Sequence, residues 1–328
     1  MKMEKFVYEK MKFENIPCNL CGGSDFFTLA QRAANGLLAR TCLCKNCGLI
    51  FINPRMTKDS YAQYYQYHYR EHRAASVGKM ERGAELQVNF DDARKFGRAL
   101  VQLLSPHIKN SGLTVDVGSS TGGVLFGMRE ILPKIELLGV EPSLAESDFA
   151  NHQGVKTNCA LFEDFLASSD IIKAANILCV RSLNHLLDPM SFFLWAKKVL
   201  APDGSLILVV KNFRHQTRRA GSVVAGVQID HPYMFTPETL KAMVEKAGFK
   251  VVYLDSDESK NKKELFKQKE ASLSIHHIRL VSKKSQVVNA KISRWLYWQL
   301  RWQFWPPILK IYYLLFYSKR FAFLRFLR

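Results

Sequence analysis

The chain has 328 residues, 48% of them hydrophobic, with no long low-complexity stretch, so most of it is expected to be globular, with one full-sized core and room for appendages. Residues 1–17 interleave Lys and Glu with aromatics and lack the apolar centre of a signal peptide, which places the protein in the cytoplasm. A formal net charge of +18 suits nucleic acid, an anionic membrane surface or a phosphorylated substrate, and the location of that charge decides among them.

Seven cysteines in a reducing compartment point to metal binding or packing and away from disulfides. Cys18 and Cys21, then Cys44 and Cys47, form two C-x-x-C knuckles, followed by Gly22 and Gly48 where a permissive backbone suits a tight turn. Four thiolates at the corners of a tetrahedron satisfy Zn2+ and leave no open position, so the expected site is structural and supports the folding of a small module, residues 1–55. Free thiols or a redox pair are the competing interpretation. Cys42 is surplus, because only Cys44 has the two-residue spacing to Cys47. Cys159 and Cys179 stand apart in apolar surroundings and read as core. Residues 49–54 read as a strand ending at Pro54.

Residues 56–94 form a tyrosine-rich helical bridge (Tyr61, Tyr64, Tyr65, Tyr67, Tyr69), which on its own suggests an amphipathic cap with exposed rings. Apolar side chains at helical spacing over residues 92–108 lead into a domain of residues 95–285. Residues 113–117 are a buried strand that enters the turn Gly118-Ser119-Ser120-Thr121-Gly122-Gly123 and then a helix. Gly118 lets the backbone approach a ligand, and Gly122 or Gly123 lets the helix pack close to the sheet. This is neither the dinucleotide fingerprint nor a phosphate loop. With Asp116 at its entry, the turn suits a cationic ligand bearing an amino group, and S-adenosylmethionine (SAM) is such a ligand. A second strand ends at Glu141, 25 residues after Asp116, where a carboxylate can accept hydrogen bonds from ribose hydroxyls. Glu141 alone identifies only a ribose; its pairing with the turn favours SAM.

Residues 154–157 read as a third strand. Phe162 with Glu163 or Asp164 follows, either as a face and acceptor for adenine or as a core ring and a helix start. The remaining pattern is a fourth strand (175–180), a helix through Val199, a fifth strand (205–210), and a helix opened by Thr236 and Pro237 and closed at Gly248. Strands at 250–254 and 272–281 flank a charged loop, 255–270. The expected class is α/β, a Rossmann-like and mostly parallel sheet with a terminal antiparallel hairpin.

Six signatures now stand together: C-x-x-C…C-x-x-C-G-L-I-F from Cys18, the tyrosine-rich bridge, V-D-V-G-S-S-T-G-G from Val115, G-V-E-P-S from Gly139, H-L-L-D-P from His185 and F-T-P-E-T-L…A-G-F from Phe235. From Cys18 to about Val281 the chain resembles bacterial class I SAM-dependent methyltransferases with an N-terminal zinc-binding domain, a group that includes nucleotide-sugar C-methyltransferases. The resemblance implies the fold, SAM as cofactor and methyl transfer as activity, and it leaves the acceptor open. It also implies that some bridge tyrosines form a lid over SAM. Two departures, Asn184 where the group carries an acid before the His and the missing long C-terminal domain of the sugar C-methyltransferases, point away from sugar C-methylation specifically.

Methyl transfer is an in-line displacement, so positioning supplies much of the rate and a base helps only where the acceptor loses a proton. His185, just past the fourth strand, and His231, in the loop 228–233, are candidate bases, each against the alternative of a structural hydrogen-bonder; Tyr233 is a third candidate. Lys211, Arg214, Arg218 and Arg219 follow the fifth strand, either to hold phosphate groups of an acceptor or as a solvated basic loop.

From Gln286 onward there are eight Lys or Arg, no acid, and Trp295, Trp298, Trp302 and Trp305. No uncharged run approaches the roughly 20 residues that span a bilayer, and Pro306-Pro307 divides any helix in two. Residues 286–328 therefore read as an amphipathic tail resting in the headgroup layer of an anionic membrane, on its inner face. A helical hairpin packed on the core and an RNA-binding tail are the alternatives. The leading function is methylation of a glycan, nucleotide-sugar or lipid-linked precursor at the cytoplasmic membrane face. An RNA methyltransferase and a membrane-associated scaffold without turnover are the competing functions.

Overall fold

Short antiparallel strands open the chain: β1 (Phe13–Glu14), β2 (Phe26–Arg32), β3 (Leu38–Cys44), β4 (Ile50–Ile52) and β5 (Arg55–Met56). The computed structural model describes residues 7–68, 82–168, 173–260, 262–273, 276–287 and 292–317; Tyr69 and the tail beyond residue 317 lie outside them. Helix α1 (Lys58–Gln63) starts at Thr57, whose side chain accepts from the Ser60 amide, and a π-helical turn (Tyr64–His68) continues it. Tyr61 and Tyr64 are buried, so these two rings are core and not the exposed cap that their spacing suggested.

Helix α2 (Arg82–Leu104) starts ahead of the apolar pattern, and the boundary expected at residues 94 and 95 falls inside it. Then come β6 (Ser111–Val117), α3 (Gly123–Ile131), β7 (Lys134–Glu141), α4 (Leu144–His152), β8 (Thr157–Cys159), α5 (Phe162–Ser168), β9 (Ala174–Val180), α6 (Pro189–Val199) and β10 (Leu200–Lys211). Strands β10, β9, β6, β7 and β8 lie side by side and parallel. Their near-continuous apolar runs, such as residues 206–210, suit a sheet covered on both faces. After α7 (Phe213–Ala220), β11 (Tyr233–Met234) and α8 (Pro237–Lys246), the strands β12 (Phe249–Ser256) and β13 (His277–Lys284) close the sheet as an antiparallel pair beside β10. The seven-stranded order is β12-β13-β10-β9-β6-β7-β8, a mostly parallel Rossmann-like sheet with a terminal hairpin.

Three local expectations shift. The third strand begins at Thr157, because Gly154 takes a left-handed conformation (φ 77°) and ends α4, with its amide donating to Asn151 O. Strand β10 takes in residues 200–204, since Leu200 already pairs with Ala174. The charged stretch 255–270 is ordered by ion pairs: buried Arg279 binds Asp255 (3.1 Å) and Asp257 (3.0 Å), and α9 (Lys262–Glu270) follows.

The cysteine module does not stand alone. Strand β11 pairs with β4 and becomes the fourth strand of the module's sheet, β11-β4-β3-β2. Cys18, Cys44, Cys47 and Phe51 share one core with Phe192, Val210 and Phe235. On the other face of the large sheet α3 presses on α2: a Cβ at Gly123 would lie 2.4 Å from Phe90 O. That glycine therefore serves helix-to-helix approach and not helix-to-sheet approach. The tail forms α10 (Arg294–Gln303) and α11 (Pro306–Phe316), divided at the two prolines as expected. Among the described residues no helix is long and apolar enough to cross a membrane.

Candidate functional site

The parallel strands end at one edge, and the turn after β6 lies there. Gly118 (φ 77°) and Gly122 (φ 76°) give it its left-handed corners. The approach that Gly118 permits is to Ser182, since a Cβ would sit 2.3 Å from Ser182 Oγ, which also donates to Gly118 O at 2.8 Å. Asp116, Ser119 and Thr121 are buried around this turn, and among the described residues Asp116 Oδ1, Ser119 Oγ and Thr121 Oγ1 have no hydrogen-bond partner. Burial pushes the Asp116 carboxyl up to about 7. Glu141, at the end of β7, accepts from Ser120 N and Ser143 N, both at 2.9 Å. Its carboxyl is pushed up to about 8, first by burial and then by neighbouring Glu146. Each Glu141 oxygen retains a second lone pair. Orphaned acceptors beside a glycine turn fit a ligand that brings its own donors, as the methionyl ammonium and ribose of SAM do.

The structure brings His185 and His231 together, with ring centroids 4.5 Å apart in an edge-to-face arrangement. His185 closes a 3-10 turn (Leu183–His185) that begins at Ser182, so the glycine turn and the imidazole are coupled through one short loop. Asp230 Oδ2 lies 3.8 Å from His185 Nδ1, and Tyr65 Oη lies 2.7 Å from the same nitrogen. Neither Asp230 nor Tyr65 stood out in the sequence as a partner of His185; the adjacency of Asp230 to His231 was the available signal. His231 is held well below its ordinary range by burial first, then by Lys211 and His185. Asn184 Nδ2 donates to Tyr233 O at 3.1 Å, so this residue ties the 3-10 turn to β11.

Other candidates sit elsewhere. Tyr233 is buried in the seam between module and core, its ring against Phe51 and its hydroxyl 3.4 Å from Arg55 Nη1, a structural position and not a catalytic one. Phe162 packs edge-on against Phe192 and Trp195, so its ring belongs to the core and does not face adenine. Glu163 accepts from Leu187 N at 3.0 Å, and Asp164 pairs with Lys58. Cys159 is exposed, contrary to its core assignment, whereas Cys179 is buried. The basic group after β10 is dispersed along α7. Arg214 is buried and bound by Glu258 (2.7 Å), Glu238 (2.9 Å) and Gln303 (3.0 Å), which neutralises it as a phosphate ligand. Arg218 lies over Tyr312, and Arg219 meets His276. Lys211 remains beside the histidine pair, with Nζ 3.0 Å from Gln228 Oε1.

The four knuckle thiols converge. Cys18 and Cys47 sulfurs are 3.4 Å apart, Cys21 and Cys44 sulfurs 3.5 Å, and all four lie within 4.8 Å of one another. Tetrahedral zinc with bonds of about 2.3 Å places its sulfurs roughly 3.8 Å apart, so the cluster is compatible with Zn2+. Crowding of the sulfurs pushes the Cys44 thiol down and those of Cys18 and Cys47 up, so they do not ionise alike. A cation is what would let all four ionise together. Cys42 stands outside the cluster, 3.8 Å from Asn53 O. The first knuckle also reaches the methyltransferase loop: Asn19 Nδ2 donates to Asp188 (2.7 Å) and Asn19 Oδ1 accepts from Met190 N (2.9 Å).

A sheet of this order with an acid-flanked glycine turn defines a class I nucleotide-binding methyltransferase fold. The family described as methyltransferase domain matches residues 90–254, just over half of the chain, and the chain belongs to it. It is a SAM-dependent methyltransferase. Similar solved structures include the plantazolicin methyltransferase BpumL in complex with SAH, at 16% identity and TM-score 0.49, covering 69% of this chain and 94% of that one. A SAM-dependent methyltransferase from Clostridium acetobutylicum is similar at 13% identity and TM-score 0.45, covering 67% and 99%. Geranyl diphosphate C-methyltransferase from Streptomyces coelicolor is similar at 13% identity and TM-score 0.42, covering 57% and 77%. No curated protein matches the chain.

Proposed function

We propose that this methyltransferase acts on a small-molecule acceptor, a glycan, nucleotide-sugar or lipid-linked precursor at the cytoplasmic face of a membrane, whose attacking atom must lose a proton. The observation that carries this is the facing pair His185 and His231, backed by Asp230 and Tyr65 and joined through Ser182 to the glycine turn. Asp116 and Ser119, with Gly118 and Gly122 shaping the turn, would hold the methionyl end of SAM, and the spare lone pairs of Glu141 its ribose. SAM supplies an electrophilic methyl group on its sulfonium. The chain positions the acceptor and takes its proton. Asp230 beside Nδ1 favours the tautomer with hydrogen on that nitrogen; Nδ1–H then donates to Tyr65 Oη, and His185 Nε2 keeps a lone pair for the acceptor proton. His185 is the more exposed ring of the pair (side chain 21% accessible), which supports assigning it to the acceptor side. Of its group, Lys211, which donates to Gln228 Oε1 and bears on His231, would be the contact for an acceptor phosphate. Cys18, Cys21, Cys44 and Cys47 would hold Zn2+ in a structural role, fixing the knuckle that binds Asp188 through Asn19.

The test is labelled SAM with cell lysate, counting lipid, glycan and RNA fractions separately. Label in the lipid or glycan fraction, lost about 10²- to 10⁴-fold in kcat in His185→Gln with SAM affinity unchanged, is the expected result. Label in RNA alone would establish the nucleic-acid alternative. SAM binding without transfer to any fraction would establish the scaffold.

A further inference from the structure

The tail hairpin has two faces of opposite character. With 100° of rotation per residue, Trp295, Trp298 and Trp302 fall on one side of α10, and Leu296, Tyr297 and Leu300 fall on the other. The second set is buried. The tryptophans are 70%, 59% and 60% exposed, and Trp305, at 49%, continues the stripe past the helix end. The rings of Trp302 and Trp305 lie 5.3 Å apart, so the stripe is continuous there. Single exposed apolar residues are ordinary, but four indoles in one row are not.

The hairpin cannot turn this stripe inward. Leu296 and Leu300 sit against Gly48, where an added Cβ would come within 3.1 Å of either side chain. Phe304 stacks on Phe213 at 5.4 Å, and Gln303 accepts from buried Arg214. Arg218 covers Tyr312 at 4.6 Å. Both helices are thus pinned to the body of the enzyme by their inner faces.

We propose that Trp295, Trp298, Trp302 and Trp305 form a docking surface for an anionic lipid layer. This deepens the membrane-face reading above and rests on it. Charge selects the occupant. Arg294 and Arg301 lie on the helix that carries the stripe, Arg301 over the Trp298 ring at 5.4 Å, the sequence adds Lys310, Lys319, Arg320, Arg325 and Arg328, and no acid occurs after Gln286. A second copy of the chain docked symmetrically would set two such cationic tails against each other. An anionic headgroup layer meets the cations and accepts the indole N–H groups, while the ring bodies enter the acyl boundary.

The test reads tryptophan emission of the full chain with SAM bound. Four of its five tryptophans lie in the stripe, so they dominate the signal. Vesicles of equimolar phosphatidylglycerol and phosphatidylcholine should shift emission to the blue, and brominated acyl chains should quench it. Partitioning should fall about tenfold or more in Trp298→Ser/Trp302→Ser, and pure phosphatidylcholine should bind more weakly than the mixture. SAM affinity by calorimetry should stay unchanged in the variant; if it does not, Trp295→Ser, at the outer end of the stripe, gives the same reading. Unaltered emission with anionic vesicles overturns the proposal. So does a tryptophan-dependent dimer in sedimentation without lipid, or an emission change with RNA and none with vesicles. Vesicle binding with methylation of RNA alone would sink the acceptor reading and leave the docking surface standing. Small-molecule methylation without vesicle binding would do the reverse.

Discussion

Two buried polar clusters lie at the same edge of the sheet and differ in how their charges are met. Around Arg214, Glu258, Glu238 and Gln303 answer a buried guanidinium from three sides. Around the glycine turn, Asp116 Oδ1, Ser119 Oγ and Thr121 Oγ1 are equally hidden and have no partner in the described chain. A folded protein tolerates unpaired buried acceptors where a ligand completes them, because each costs roughly 1–3 kcal/mol when left unsatisfied. The difference lies in the charge: the Arg214 guanidinium is met on three sides, although Glu238 Oε2 beside it has no partner among the described residues, whereas at the turn three polar atoms from neighbouring residues are left unmet together. The contrast reverses what residue type alone suggests, since arginines at a ligand edge look like the binding group and a lone aspartate does not.

The strongest way to break this contrast is at the turn. Gly118→Arg adds a side chain at a left-handed position and drives its Cβ into Ser182, so SAM binding measured by calorimetry should vanish. Asp116→Ala should also lose SAM affinity, yet thermal unfolding of the SAM-free protein should show only a small loss of stability, because Asp116 Oδ1 has no partner and the carboxyl's hydrogen bond is to the backbone at Val180. The opposite pattern is expected at the completed cluster. Glu258→Gln leaves Arg214 without its main counter-charge and should destabilise the fold by roughly 3–5 kcal/mol in denaturant titrations, with SAM affinity retained. A Glu258 variant that lost SAM but kept its stability would show that the two clusters are not divided in this way.

What the sequence revealed follows the same division. The succession of strands and helices, the glycine turn, the cap at Thr236 and the four clustered cysteines were legible, because each is written in contiguous residues with a fixed spacing. The pairing of His185 with His231 was half legible: both were named, but their contact depends on a loop returning beside β4. For Arg214 and Phe162 the sequence left two readings open for one reason. Their roles are set by Glu258, Glu238, Phe192 and Trp195, which lie 24 to 44 residues away in the chain, and no local pattern records such partners. The tail was legible in composition and open in geometry, and the structure shows it both packed on the core and exposing its tryptophans.

Zinc offers a smaller and more indirect test of the same contrast. Chelation should lower the thermal midpoint of the module and reduce turnover more than it reduces SAM affinity, because the knuckle touches the loop of His185 and not the glycine turn. Asn19→Ala removes only the link to Asp188 and Met190, a cost of about 1 kcal/mol, and should reproduce part of the loss in kcat with zinc content unchanged by metal analysis. If turnover in Asn19→Ala equals that of the parent, the module is a stabiliser with no bearing on the histidine loop.

The mildest prediction is a slope in pH, and it has opposite signs in the two clusters. The Asp116 carboxyl rises from 3.8 to about 7 on folding, so the folded SAM-free protein holds a proton that the unfolded chain releases. Its contribution to stability is complete below pH 3.8 and is lost as pH climbs through about 7; Glu141, raised from 4.5 to about 8, extends that decline. At Glu258 burial pushes the carboxyl up, but the hydrogen bonds and charge of Arg214 more than offset it and the net shift is downward. That stability is present above the ordinary carboxylate range and is lost as pH falls. Thermal midpoints of the SAM-free enzyme should therefore decline from about pH 5 to pH 8. Asp116→Asn should flatten the decline, and so should saturating SAM, whose ammonium would hold Asp116 charged in the folded state. A decline that persists unchanged with SAM bound would mean that the ammonium does not sit against Asp116, and the orphaned Asp116 Oδ1 would then need another partner.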